Sequence, residues 1–312
     1  MAIFSASAPG KIILLGEHAV VYGYPAIAIP VNGVTATVTA TSLPSGAGTT
    51  IRSVALETSI SLVDNEASSD PLAYVAWSVL RYLNLAPPDL LLEIHSSIPP
   101  GSGLGSGAAV ATALARALAG ALNGSLPNEI LNGIVFESEK FHHGTPSGID
   151  NTVIVHESPL FFRRDQPFEQ LQVAGEFCFL VADTGRSSLT RHAIADVRSL
   201  YEHKRSLVEA LFSEISDIVT EARTALEIGD VSQLGRLMTA NHALLQSLTV
   251  SSPELDNLVH AALDGGAVGA KLSGGGRGGN MVALINASDE VAVHQSLMNH
   301  GATRIFRAVL QS

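Results

Sequence analysis

Between Ile98 and Ala109 the chain reads I-P-P-G-S-G-L-G-S-G-A-A. Gly101, Gly103, Gly105 and Gly107 fall close together, and each lacks the Cβ that would hold an anion away from the backbone. Glycine also reaches positive φ without steric cost, so successive N–H groups can converge on one ligand. Pro99 and Pro100 fix the approach, and Ala108 to Leu122 is almost wholly Ala, Leu and Val. That run predicts a buried helix whose unpartnered N–H groups and positive dipole end face the loop, which suits phosphate. The plainer alternative is a flexible Gly/Ser connection, although such linkers rarely separate a strand from a strong helix. Two familiar phosphate loops do not fit. A Walker loop needs a Lys after its last glycine, and none follows here. Gly103, Gly105 and Ala108 match G-x-G-x-x-A, but the acidic residue needed about 20 positions later is replaced by the turn-like Asn123-Gly124-Ser125-Leu126-Pro127-Asn128.

Other residues carry charge where apolar packing would not ask for it. Lys11 opens the apolar run Ile12 to Leu15, and Glu17 and His18 close it after Gly16, where a turn would direct both into a cleft. A lysine leaning into a core is costly unless an anion receives it. The alternatives are a snorkelling edge lysine and a satisfied core histidine. Asp150 follows the turn-rich His142-His143-Gly144-Thr145-Pro146-Ser147-Gly148-Ile149 and precedes Thr152 to His156, which reads as a strand. Core packing does not call for a carboxylate there, and an Asx turn is the alternative. His142 and His143 would point apart in regular structure, with no further ligands at metal spacing.

The elements that must position these residues follow from composition and pattern. A chain of 312 residues, 46% apolar and 15% charged, has ample core and suits two domains with a shared cleft. The net charge of −11 disfavours nucleic acid or an anionic membrane as partner, so phosphate must be held locally by backbone dipoles and placed cations. Cys178 stands alone, which excludes a disulfide framework and suits a reducing cytoplasm. The first residues lack the basic and apolar stretches of a signal peptide, and no apolar run approaches membrane-spanning length.

Ala26 to Ala40 alternates around Asn32-Gly33 and predicts a hairpin in a mixed sheet. Leu43 to Gly48 reads as a turn, and Val54 to Ser69 has no clear pattern. Asp70-Pro71 predicts a capped helix through Leu83 containing Trp77, followed by a strand from Leu90 to His95 and, later, a helix from Asn128 to Phe141. A strand from Glu176 to Ala182 leads into a polar loop, Asp183 to Arg191, and then into long helices to Gly229 and from Val231 to Leu248. Gly274 to Gly279 lies between strands Ala267–Ser273 and Met281–Ile285, placed either to close on phosphates or to serve as a plain hairpin loop. A helix Glu290–Asn299 and a strand Thr303–Leu310 complete a ferredoxin-like layer.

Four segments, in order, resemble motifs of the GHMP small-molecule kinases. They are P-G-K-I-I-L-L-G-E-H-A-V-V-Y-G (Pro9 to Gly23), P-P-G-S-G-L-G-S-G-A-A (Pro99 to Ala109), G-T-P-S-G-I-D-N (Gly144 to Asn151) and K-L-S-G-G-G-R-G-G-N-M (Lys271 to Met281). The resemblance spans essentially the whole chain, and the wording of the first and third segments is closest to the branch that acts on mevalonate. It implies an α+β fold of two domains, residues 1–172 ribosomal-protein-S5-like and residues 173–312 ferredoxin-like. The implied activity is ATP-dependent, Mg²⁺-assisted phosphorylation of the primary hydroxyl of (R)-mevalonate, and the implied partners are that small molecule and MgATP, with no nucleic acid and no membrane. A homodimer stands among the assemblies open to such a chain.

Carried onto matching positions, the resemblance places the ATP phosphates on Pro100, Gly101, Ser102, Gly103, Leu104, Gly105, Ser106, Gly107 and Ala108. Asp150 becomes the catalytic base, and Lys11 holds the attacking hydroxyl and Asp150 in place. Glu17, His18 and Thr190 join Lys11 and Asp150 in lining the substrate, with Arg191 near phosphate, and Asn241-His242 also matches, a structural helix pair being the alternative for these two. Glu139, eleven residues before Asp150, becomes the Mg²⁺ carboxylate, and the hydroxyl ligand falls to Ser106, a water or a phosphate oxygen. One departure stands out: the family usually has two serines after G-L-G, and here they are Ser106 and Gly107, so a hydroxyl is lost. Alternatives are a kinase of phosphomevalonate or galactose, the latter disfavoured by Ala19-Val20-Val21-Tyr22-Gly23, and a non-catalytic sensor, which would be expected to lose Lys11 or Asp150. A nicotinamide dehydrogenase is a more distant reading.

Overall fold

The computed structural model describes residues 2–62, 70–143, 146–164, 166–186 and 190–311. By packing, the chain divides into two units. One comprises Met1–Gly10, Val34–Pro100 and Gly105–Glu157, and the other Lys11–Gly33, Gly101–Leu104 and Ser158–Ser312. Two strands, Ala2–Leu15 and Ala26–Ser42, therefore pass from one unit to the other along their length.

In the first unit the residues from Ala36 to Ser42 run antiparallel to Leu90–Ser96, which is parallel to Thr49–Ser53, itself antiparallel to Thr58–Leu62. The sheet is mixed, as the pattern predicts, and it takes a strand from the stretch that had no clear signal. Val34, Ala36, Val38 and Ala40 alternate inward with period two. Pro71–Leu83 starts where expected, because Asp70 accepts hydrogen bonds from the backbone N–H groups of Leu72 and Ala73 at 2.8 and 3.0 Å. Ser106–Ala121 is buried around most of its circumference, its alanines letting neighbours approach closely. At Gly120 a Cβ would run into the ring of Phe4.

Residues Thr152 to His156 are not a strand. They belong to the helix Ile149–His156, which starts at Gly148 with φ 84°. The β-branched run favours extended backbone by propensity alone, but the Thr152 hydroxyl donates to the Gly148 carbonyl at 2.6 Å and the whole helix is packed into the unit. Arg116 donates to the carbonyl of Val155 at 2.8 Å and to that of Ser7 at 3.1 Å, fixing the helix end.

In the second unit the strands Arg304–Gln311, Glu176–Asp183, Asn280–Ile285 and Gly269–Ser273 form an antiparallel sheet in that order. Thr190–His203, Arg205–Ile228, Val231–Ser247, Pro253–Asp264 and Glu290–Asn299 are its helices. Ala26 to Ala28 pair with Leu160–Phe162, which pairs in turn with Glu169–Gln170. Asn32-Gly33 does not form the predicted hairpin, and Ala26–Ser42 is one strand. Gly33 is there for proximity: a Cβ on it would collide with the backbone oxygen of Arg307.

Two glycines should respond to substitution in opposite directions. Gly33→Ala forces backbone apart and should cost about 1–3 kcal/mol. Gly133→Ala, in the helix Asn128–His143 with nothing within 4 Å of the new Cβ, should be neutral or stabilise by roughly 0.5–1 kcal/mol. Urea unfolding of the two variants beside the parent checks both signs.

Candidate active site

The glycine-rich segment enters through Pro100 and turns at Gly101, Gly103 and Gly105, with φ of 70°, 80° and 73°. Around Gly101 and Gly103 a Cβ would meet nothing within 4 Å, so open space lies over this backbone and the requirement for glycine is conformational. Leu104 is fully buried and anchors the segment. Its carbonyl accepts the N–H of Lys11 at 2.9 Å, and the Asn280 side-chain amide donates to the carbonyl of Ser102 at 2.6 Å. Gly105 then caps Ser106–Ala121 without a side-chain hydrogen bond, so the first-turn N–H groups are left to an external acceptor.

In the first unit a carboxylate is packed onto this helix end. Glu139, 5% exposed, brings Oε1 to 2.7 Å from where a Cβ of Gly107 would stand. A negative charge beside a helix N-terminus is favourable. Asp150 lies in the first turn of Ile149–His156. That turn is tied to the helix carrying Glu139: Asn151 donates to Asn132 Oδ1 at 2.6 Å, and Asn132 donates to the Thr152 hydroxyl at 3.2 Å. Asn132 and Glu139 stand at i and i+7 of the same helix, so they leave the same face. Asn132 was not singled out by sequence, because an asparagine in an amphipathic helix carries no distinguishing signal. Ser106 is the first residue of its helix. Gly144 and Thr145 of the third motif lie outside the described residues.

In the second unit the first and fourth motifs are joined. Glu17 and Lys271, both essentially inaccessible, form a buried ion pair, and Lys271 also donates to its neighbour's carbonyl, that of Leu272, at 2.5 Å. Burial pushes the Glu17 carboxyl up and the Lys271 ammonium down, their mutual attraction offsetting part of each effect. His18, at φ 61°, directs Nε2 to the carbonyl of Gly275 at 3.1 Å. Ser273 donates to the carbonyl of Ile13 at 2.8 Å. Glu17 and His18 therefore face the Gly274–Gly279 segment, and Gly16, at φ 96° against the carbonyl of Pro25, makes the turn that sends them there. Lys271 could have been found by the argument applied to Lys11, since an ammonium in the apolar strand Gly269–Ser273 needs an anion.

His242 proves to be a satisfied core histidine. Its Nε2 meets Asp256 at 3.1 Å, and its Nδ1 accepts the N–H of Leu272 at 3.3 Å, which fixes the tautomer. Lys11 is 4% exposed. Thr190 opens its helix, and its side chain and that of Arg191 lie outside the described residues.

A glycine-turned loop open to a ligand, running into a helix end that a carboxylate accompanies, is equipment for phosphoryl transfer. Family models agree: the GHMP kinases N terminal domain matches residues 71–157 and the GHMP kinases C terminal domain matches residues 222–302. The chain belongs to the GHMP kinases, and its relatives narrow the branch. It is 35% identical to the mevalonate kinase of Aeropyrum pernix over 91% of this chain and 89% of that one. It is 37% identical to the mevalonate kinase of Thermococcus onnurineus over 89% and 88%. Among solved structures, that of L. major mevalonate kinase in complex with R-mevalonate superposes with a TM-score of 0.86 at 30% identity, covering 98% of this chain and 95% of that one.

The buried histidines carry a pH signature. Burial lowers both His18 and His242 from 6.5 to about 4. Between those values the unfolded chain takes up protons that the folded chain refuses, so stability falls as pH drops from about 6.5 to 4, by on the order of 3 kcal/mol for each histidine. Denaturant unfolding across that window should show a shallower fall for His18→Asn and for His242→Gln than for the parent.

Proposed function

We propose that this chain transfers the γ-phosphoryl group of ATP to the primary hydroxyl of (R)-mevalonate, giving 5-phosphomevalonate and ADP. The observation that carries this reading is the near full-length similarity to mevalonate kinases, one of them solved with R-mevalonate. Support from the residues is chemical. Pro100 to Ala108 offer a backbone surface on which the triphosphate oxygens can be bound. Asp150 takes the hydroxyl proton as the oxygen attacks the γ-phosphorus, the bond to the β–γ bridging oxygen breaks, and ADP departs with that electron pair. Lys11 supplies positive charge that favours the ionised acceptor. Thr190 meets the substrate, and Glu17 and His18 bear on it together with the Gly274–Gly279 segment they hold.

Among the described residues no group of three His, Cys, Asp or Glu could cage a metal, and Mg²⁺ does not require one. Glu139, packed against the Gly107 backbone, and the Ser106 hydroxyl are the oxygen donors that fit, with nucleotide oxygens and waters completing the shell. A carboxylate and a triphosphate brought to one helix end repel each other, and a divalent cation shared between them removes that cost. Bound there, Mg²⁺ would neutralise charge that develops on the phosphates.

No helix among the described residues is long and apolar enough to cross a membrane. With its single buried, unpaired cysteine, we place the enzyme in the cytoplasm.

A coupled ADP-release assay with MgATP and, separately, mevalonate, phosphomevalonate and galactose tests the reading. Turnover is expected with mevalonate alone, and Asp150→Asn should reduce it by about 10²–10⁴-fold. ATP binding without turnover on any of the three would overturn the assignment in favour of a sensor.

A further inference from the structure

The helix Ser106–Ala121 uses alanine at half of its positions and glycine at only two, Gly107 and Gly120. Glycine disfavours a helix relative to alanine, so each needs a reason. Gly120 has one in the Phe4 ring, a matter of core packing. Gly107 is different: it is exposed, its φ is not positive, and the atoms nearest its missing Cβ from elsewhere in the fold belong to Glu139, Oε1 at 2.7 Å, Cδ at 3.7 Å and Oε2 at 4.0 Å. Neither backbone strain nor a crowded core accounts for it.

We propose that the absence of a side chain at Gly107 is a positioning device that sets where the Glu139 carboxylate stands, so that this chain fixes its metal-binding oxygen by close approach to the helix backbone. The inference rests on the reading of Glu139 as the Mg²⁺ carboxylate. A Cβ at 107 falls inside the contact distance of Oε1, and the atom it displaces is the end of a rotatable side chain. The fold can therefore accept the Cβ, while the carboxylate has to swing away. Replacing a small residue with a better helix former should then leave stability unchanged or raised while weakening metal binding. A purely structural role would move the two together.

The experiment uses the full chain with a non-hydrolysable ATP analogue. Mn²⁺ binding is read from the electron paramagnetic resonance signal of the free ion, and thermal unfolding is followed in parallel. Gly107→Ala should weaken Mn²⁺ binding by about tenfold with no fall in Tm, and it should add nothing further in a Glu139→Gln background. The double variant supplies the control against an indirect effect. If Glu139→Gln weakens Mn²⁺ binding and Gly107→Ala does not, the positioning role fails and the metal reading of Glu139 stands. The role also fails if Gly107→Ala weakens binding equally in both backgrounds, or if it lowers Tm markedly. Unchanged Mn²⁺ affinity in Glu139→Gln would overturn the metal reading itself, and the inference with it.

Discussion

The first backbone N–H groups of a helix have no partners within it, and at Ser106–Ala121 the sequence leaves them without a side-chain cap. Much of the first unit is arranged around that open helix end. Alanines let the helix be buried while its N-terminus stays accessible. Gly105, at φ 73°, turns the chain into the helix and brings no side chain to its end. Glu139 is brought to it by the helix Asn128–His143, and the Asn132–Asn151–Thr152 hydrogen bonds lock that helix to the turn bearing Asp150. A dipole end that favours anions thus draws together a carboxylate and, in a kinase, a phosphate.

The second unit solves a different problem, that of putting full charges where water cannot reach. A buried ion pair such as Glu17–Lys271 gains little net stability over a well-packed apolar pair, because desolvating both groups is costly, while the loss of either partner alone strands a charge. Its effect is to fix register. With Ser273 on Ile13 and His18 on Gly275, it ties the end of the strand Ala2–Leu15 to the strand leading into Gly274–Gly279. The histidines are held neutral by burial, so each presents one defined donor and one defined acceptor.

Elements governed by local physics were legible in the sequence. The Asp70 cap, the alanine-rich helix, the glycine turns and the presence of the strands of the second sheet follow from side-chain chemistry at short range. Two segments departed from their local composition. Asn32-Gly33 has the composition of a tight turn, but Gly33 serves the approach of Arg307. Thr152 to His156 has the composition of a strand, but packing and the Thr152 hydroxyl make it helical.

The site divides in the same way. By residue type and spacing, the sequence itself marked Gly101 to Ala108 as backbone free of side-chain cover and Lys11, Glu17, His18 and Asp150 as charge that packing does not call for. Only the tertiary structure decided that Glu17 pairs with Lys271, 254 positions away, that Glu139 is packed against Gly107, and that Asn132 braces the Asp150 turn. Propensity and periodicity act over a few residues, whereas the partner of a buried charge is chosen by which strands and helices the fold sets side by side.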